Sequence, residues 1–361
     1  MGSVDQGWFE PKSPTQLVGA AFRACFAKSA AAIITGAAIL VPATALTLVV
    51  VYLLGKSELL DTFQAMQTGQ VRPDQVDWKG VLTDLLPVIG CGVAAAVVSA
   101  LSQFAAAAAV ARMLAERALG REYGPASAWD FVLGRAGRLI GAAIVQTVVF
   151  MGGYMVAYIP IAMLTAVIGL ATGQIKPGQP GAQPSPLLQL PMVLILGAAM
   201  AALATYLASM PSAVAVENQG AIGAAFRSFR LVSGSFRGAF WAMVLGSIIA
   251  IAPTVVLQIA ARFAFADSLR GALGPVIGTL AAFAPGVLLG LIAGPLMYSL
   301  QATIYFDLRS RRLEEDFTAY ELAMDLGGDL PEGVQDSAVG DASSRSAGSG
   351  EGGSPTTSDI S

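Results

Sequence analysis

The stretch that decides the fold is ENQGAIGAAFRSFRLVSGSFRGAF, residues 217–240. Written as a helix, it places Ile222, Phe226, Phe229 and Val232 on one stripe, with Arg227, Arg230 and Ser233 off it. A short basic amphipathic helix of this kind lies along a membrane surface rather than across it. The run that follows, 239–261, carries no charge. It is about as long as the roughly 20 residues that a helix needs to cross a bilayer core of about 30 Å. Together the two predict an elbow, a helix in the interface that leads into a helix through the lipid.

The elbow recurs. GAAFR at 19–23 repeats GAAFR at 223–227, and both precede a membrane-length apolar run. A looser copy, ASAWDFVLGRAGRLIGAA at 126–143, has Trp129, Val132 and Leu133 on the stripe and Arg135 and Arg138 on the basic side. Three copies spaced roughly a hundred residues apart predict a threefold internal repeat.

Composition agrees with a membrane protein. The 361 residues are 55% hydrophobic and only 12% charged, against about 25% charged in ordinary soluble domains. Six apolar runs stand out, at 30–54, 85–111, within 139–172, 190–214, 239–261 and 275–303. The third run, at 1.5 Å per residue, would measure about 50 Å as a straight helix. Gly152-Gly153 and Pro160 are where it is expected to bend or break. A hairpin of two spans is the alternative for that run, but it would put the arginines of 227–237 on the other side, so parity selects one crossing. Residues 173–189, rich in Gly, Pro and Gln, read as an outer loop. A short link holding Arg262, Asp267 and Arg270 is expected between the last two spans.

Arginines cluster at 112–138, 217–237 and 309–312, which under the positive-inside rule places all three segments and both chain ends in the cytoplasm. The expected organisation is an N-terminal segment 1–13, a six-span domain 14–324 and a cytoplasmic tail 325–361. That tail holds seven carboxylates and one arginine among Gly, Ser and Thr. It cannot bury enough apolar surface to fold, so it reads as disordered and dispensable for folding. The start of the chain reads as neither a signal peptide nor a lipid-anchor site.

No charged residue clearly sits near the middle of a span, which argues against ion-coupled or proton-coupled transport. Glutamines do occur there: Gln103, Gln146, Gln258 and Gln301. They could line a polar cavity, but helix-to-helix hydrogen bonding is the favoured reading. Gly278, Ala282, Gly286, Gly290 and Gly294 repeat every four residues and would let another helix approach closely, with a partner in the same chain preferred over a second copy. The elbow arginines Arg23, Arg135, Arg138, Arg227, Arg230 and Arg237 set topology and are candidate contacts to anionic headgroups. The chain contains no histidine, and its two cysteines, Cys25 and Cys91, read as packing residues. No phosphate-binding glycine loop, nucleophile elbow or metal-ligand spacing occurs, so we expect no enzymatic activity, no cofactor, no metal and no nucleic-acid partner.

Two stretches carry a resemblance: AVENQGAIGAAFRSFRLVSGSFRGAF at 215–240 and PLMYSLQATIYFDLRSRRLEEDF at 295–317. Over residues 14–324 the chain resembles the bacterial membrane domain named for glycerophosphoryl diester phosphodiesterases, together with neighbouring six-span families. The resemblance implies six helices with interfacial elbows in a bacterial inner membrane. The catalytic domain that gives the family its name has no counterpart in this sequence. The expected role is a non-enzymatic membrane scaffold or accessory protein that contacts anionic lipid and envelope partners. The alternative is a transporter or lipid-translocating permease with a cavity between the helices.

Overall fold

The computed structural model describes residues 10–56, 62, 76, 78–172, 186–311 and 318–327, and every regular element among them is an α-helix. In chain order these are α1 (Pro14–Lys56), α2 (Trp78–Ala118), α3 (Pro125–Gly134), α4 (Ala136–Ala171), α5 (Pro186–Leu207), α6 (Met210–Val216), α7 (Ala221–Ser233), α8 (Phe236–Ser310) and α9 (Ala319–Asp325). Six segments are long and apolar enough to cross a membrane: Ala31–Leu53, Trp78–Ala118, Ala136–Ala171, Leu190–Val216, Phe236–Leu257 and Leu289–Ser310. The chain is an all-helical, polytopic membrane protein.

The three elbows are not alike. α1 runs unbroken from its cap into the first span. Ser13 caps it reciprocally, its N–H donating to Gln16 Oε1 at 2.8 Å while its hydroxyl accepts from the Gln16 N–H at 3.4 Å. From there ACFAKSAAA, residues 24–32, holds helix formers and no Gly or Pro to interrupt them. The expected interfacial helix around 19–23 is therefore the first turns of the span helix itself. The other two elbows do break: Arg135 leaves helical geometry at φ −121°, ψ 17° between α3 and α4, and Ser235 at φ −144°, ψ 33° before α8. A glycine, Gly134 or Gly234, precedes each break. The expected threefold repeat is not confirmed, since only the second and third elbows break between a short helix and a span.

α4 is a single helix through Gly152, Gly153 and Pro160, which removes the hairpin alternative. Gly153 serves a close approach instead, since a Cβ there would strike Leu203 of α5. The fourth span is interrupted just before Met210-Pro211. α5 ends at Leu207, Ala208 and Ser209 turn, and α6 restarts with all seven residues buried.

α8 is helical from end to end, where a short link was expected near Arg262. Its 75 residues would extend about 110 Å if straight. Yet Gly246 packs against Leu300 and Met297, and Ala250 shares a buried cluster with Leu296 and Cys25. Those pairs demand an antiparallel fold-back whose midpoint lies near residue 273, so α8 supplies two spans. Its second arm lies along α1. A Cβ on Gly36 would stand 2.8 Å from Pro295 Cγ, and one on Gly294 3.1 Å from Leu40 Cδ1. The small residues of the last span accordingly face a helix of the same chain at Gly294. Gly290 meets nothing within 4 Å, and the side chains of Gly278, Ala282 and Gly286 lie outside the described residues.

The core sits at one end of the bundle. α2 is exposed along Leu82, Leu86, Ile89, Val93 and Val97. From Phe104 to Leu119 it is enclosed, apart from the partly buried Ala105, Arg112 and Arg117. An apolar outer half and an enclosed inner half are what a helix needs when lipid surrounds one and protein the other.

Two domain boundaries shift. Lys12 donates its backbone N–H to Asp307 Oδ1 at 2.6 Å, so the end of the N-terminal segment is docked on α8. At the other end Leu322, Ala323 and Leu326 of the α9 region are buried, and Arg112 donates to the Leu326 carbonyl at 2.9 Å. The membrane domain therefore reaches Gly327 rather than 324. Residues 328–361, most of the expected disordered tail, lie outside the described residues.

Candidate functional site at the arginine-rich end

The three arginine clusters meet at one end of the bundle. Between α6 and α7 the chain turns through Glu217, Asn218, Gln219 and Gly220. Asn218 holds the left-handed conformation at φ 55°, which asparagine tolerates better than most residues. The turn is closed by the N–H groups of Glu217 and Gln219, both donating to the Ala213 carbonyl. It aims two side chains in different ways, Glu217 inward and Asn218 toward the second elbow.

Glu217 joins a buried ionic network. Its carboxylate accepts from Arg227 Nε on both oxygens, at 3.0 and 2.9 Å, and from the Tyr305 hydroxyl at 2.8 Å. Arg309, one turn along α8 from Tyr305, lies 3.8 Å from Glu217, donates to Tyr305 Oη at 3.2 Å and pairs with Asp325 at 2.7 Å. The side chains of Glu217, Arg227 and Arg309 are 7%, 10% and 6% exposed. Arg227 is therefore not available to a headgroup: an interior carboxylate holds it, and the expected lipid contact at this position is replaced by an ion pair.

A second set locks the surrounding elements. Arg112 and Arg121 share Glu116, at 2.9 and 3.1 Å, and Arg311 pairs with Asp307 at 2.7 Å while also reaching the Lys12 carbonyl. The third elbow is fixed by aromatic stacking, with Tyr206 of α5 between Phe229 and Phe236 at 5.2 and 5.1 Å. Buried Ser228 adds hydrogen bonds to Ser209 and to the Tyr206 carbonyl. These contacts rotate α7 so that Ile222 and Phe226 point outward, 66% and 72% exposed, while Val232 turns into the core. The stripe expected as one apolar face is thus split.

Asn218 Oδ1 accepts from two arginines, Arg135 Nη1 at 2.8 Å and Arg138 Nη1. Neither has a carboxylate partner among the described residues. Arg135 also lies over the Phe131 ring, 5.2 Å from its centroid, and Arg112 is 6.0 Å from the same ring. Partial burial, then the neighbouring guanidinium groups of Arg112 and Arg138, lower the Arg135 pKa from its ordinary value. Gly134 and Gly137 complete an open notch of about 500 Å³ with Arg135, Arg138 and Asn218.

The remaining candidates are scattered. Arg23, Arg230 and Arg237 are exposed on α1, α7 and α8. Gln103 donates to Ser99 at 2.8 Å and lines a cavity of about 290 Å³ between α1, α2 and α8, together with Thr44, Thr47, Gly290, Gly294 and Tyr298. Gln146 is elsewhere, on α4, with its Oε1 buried and without a hydrogen-bond partner among the described residues. Gln301 is partly buried, and the Gln258 side chain lies outside the described residues. Among the described residues, Gln103, Gln146 and Gln301 share no hydrogen bond or cavity. Among the described residues no group of three or more His, Cys, Asp or Glu is placed to hold a metal.

Glu217, Asn218, Tyr305 and Arg309 were missed as site residues. Two signals pointed to them: Glu217 is the lone acid in an otherwise basic elbow, and Tyr305 and Arg309 are four apart at the end of a span.

No protein-family model, curated protein or solved structure matches this chain.

Proposed function

We propose that this chain is a non-enzymatic scaffold or accessory protein of a bacterial inner membrane, with both termini cytoplasmic, that engages anionic lipid and envelope partners through its arginine-rich end. The observation that carries the reading is the contrast between its two halves. The interior is filled by α2 from Phe104 to Leu119, while basic side chains gather on the rim of that same end. A filled interior supports anchoring rather than passage. The test is reconstitution into vesicles of phosphatidylcholine and phosphatidylglycerol, with release of a trapped fluorescent solute and flipping of a labelled lipid as readouts. Neither rate is expected to exceed that of protein-free vesicles; faster movement of either would replace the scaffold by a permease.

The permease reading has one observation in its favour, the uncharged cavity beside Gln103. Its weakness is that α2 becomes enclosed at the next residue inward. The vesicle experiment separates the two.

The sidedness is tested by single cysteines in a Cys25→Ala/Cys91→Ala background. With an impermeant thiol reagent on intact cells, Thr172→Cys at the exposed end of α4 is expected to label, and Ser127→Cys on α3 to label only after lysis. Labelling of Ser127→Cys in intact cells would invert the topology. The physical basis is the arginine bias of the loops.

A further inference from the structure

We infer that the notch formed by Arg135, Arg138 and Asn218 is a binding site for the phosphate of an anionic lipid headgroup. The inference rests on the lipid-engaging part of the proposed function and assigns it to one place. Two guanidinium groups meet on one neutral oxygen, Asn218 Oδ1, without a carboxylate between them. Each retains further N–H donors, because a guanidinium carries five and the amide oxygen takes one from each. Like charges drawn this close repel, and an anion that accepts from both relieves the repulsion while adding charge-assisted hydrogen bonds. Arg112 stands behind them over the Phe131 ring, shares Glu116 with Arg121 and adds to the positive field, but it does not line the notch.

The surroundings select the source of the phosphate. α4 begins at Ala136, so its N-terminal dipole adds to the same field. Gly134 and Gly137 have nothing within 4 Å of where a Cβ would be, which leaves the mouth open. Exposed apolar side chains flank the notch, Leu133 on α3 and Ile140 on α4. The first turn of α7 closes the frame, since Ala221 Cβ lies 3.8 Å from a Cβ built on Gly141, and the adjacent Ile222 is exposed. A phosphate bearing acyl chains satisfies both parts, headgroup on the arginines and chains along the apolar rim. Free phosphate satisfies only the first. Arg227, buried on Glu217, contributes nothing to this site.

The full-length protein in a neutral detergent is titrated calorimetrically with four probes: dihexanoyl phosphatidylglycerol, dihexanoyl phosphatidylcholine, glycerophosphoglycerol and inorganic phosphate. The first is expected to bind more tightly than the other three. An arginine at an anionic membrane surface is worth a factor of about 5, so Arg135→Gln/Arg138→Gln should weaken phosphatidylglycerol about 25-fold. Its thermal unfolding should stay close to that of the parent, because Arg138 is exposed and Arg135 is only partly buried. Arg23→Gln/Arg230→Gln/Arg237→Gln, which removes three exposed arginines outside the notch, gives a second variant that should keep the binding within about 5-fold. Inorganic phosphate or glycerophosphoglycerol binding as tightly as the short-chain lipid would overturn the lipid source. Phosphatidylcholine binding equally would overturn the role of charge. If the double variant binds phosphatidylglycerol like the parent while Arg23→Gln/Arg230→Gln/Arg237→Gln does not, the notch is wrong and the lipid-engaging reading survives. If the parent does not bind phosphatidylglycerol, both fail together.

Discussion

Glu217→Ala is expected to destabilise the folded protein by about 3–5 kcal/mol, the cost of removing one partner from a buried ion pair. The alanine leaves Arg227 and Arg309 without the carboxylate that holds the first and stands 3.8 Å from the second. It also strips the Tyr305 hydroxyl of its 2.8 Å acceptor. Arg309 retains Asp325, so Arg227 should suffer most. Glu217→Gln keeps the shape and an acceptor for Tyr305 and removes only the charge, which separates the two losses. Adding Arg227→Gln to Glu217→Gln should recover part of the stability, as coupled neighbours do in a double-mutant cycle. The measurement is unfolding of the detergent-solubilised protein by heat or by titrated sodium dodecyl sulfate. A change within about 0.5 kcal/mol for Glu217→Ala, the range of ordinary surface substitutions, would mean that water reaches this network.

Truncation after Phe317 is expected to cost at least as much, whereas truncation after Gly327 should leave unfolding unchanged. The shorter chain lacks Asp325, the 2.7 Å partner of Arg309, and the Leu326 carbonyl that accepts from Arg112. It also lacks Leu322, Ala323 and Leu326, all buried. Burial of one leucine side chain stabilises by about 1.5–3 kcal/mol, so the two leucines alone account for about 3–6 kcal/mol as an upper estimate. The longer chain keeps every one of these groups. Thermal unfolding checks the stability, and limited trypsin digestion checks the docking, because Arg309, the partner of Asp325, should become cleavable only in the shorter chain. Indistinguishable melting of the two truncations would show that α9 rests on the bundle without holding it.

These expectations depend on features that the sequence discloses unevenly. Hydropathy and the arginine bias are long-range averages, and they located six spans, four of which begin within three residues of the expected start, while the second begins at Trp78 and the sixth is described from Leu289. Boundaries slipped where no charge or glycine marks them. The first elbow has no residue like Gly134 or Gly234 to end its helix, and that absence was readable in 24–32. The fold-back of α8 is marked in the sequence by the charged link and by Gly271 and Gly274-Pro275, although the helical assignment runs through them. Site residues were less legible for a different reason. A helical stripe says which residues share a face but not which way the face is turned. Tyr206 stacking and the Ser209–Ser228 hydrogen bond turned α7 so that Phe226 looks outward and Arg227 inward. Arg135 and Arg138 kept their expected exposure because the break at Arg135 lifts them to the rim. Their convergence on Asn218, 80 and more residues away in the chain, is a tertiary fact.

The packing of Gly36 against Pro295 also sets an order of events during synthesis. The two positions are 259 residues apart, and a ribosome adds about 5–20 residues each second. Roughly 10–50 s therefore pass between the emergence of α1 and that of its mate, the second arm of α8. Through that interval the glycine face of the first span has only lipid and earlier helices for neighbours. Lys12 likewise waits for Asp307 before the N-terminal segment can dock. The bundle is closed by joining its oldest span to its newest, so a nascent chain arrested before residue 289 would hold its first span in place without the arm that packs on Gly36.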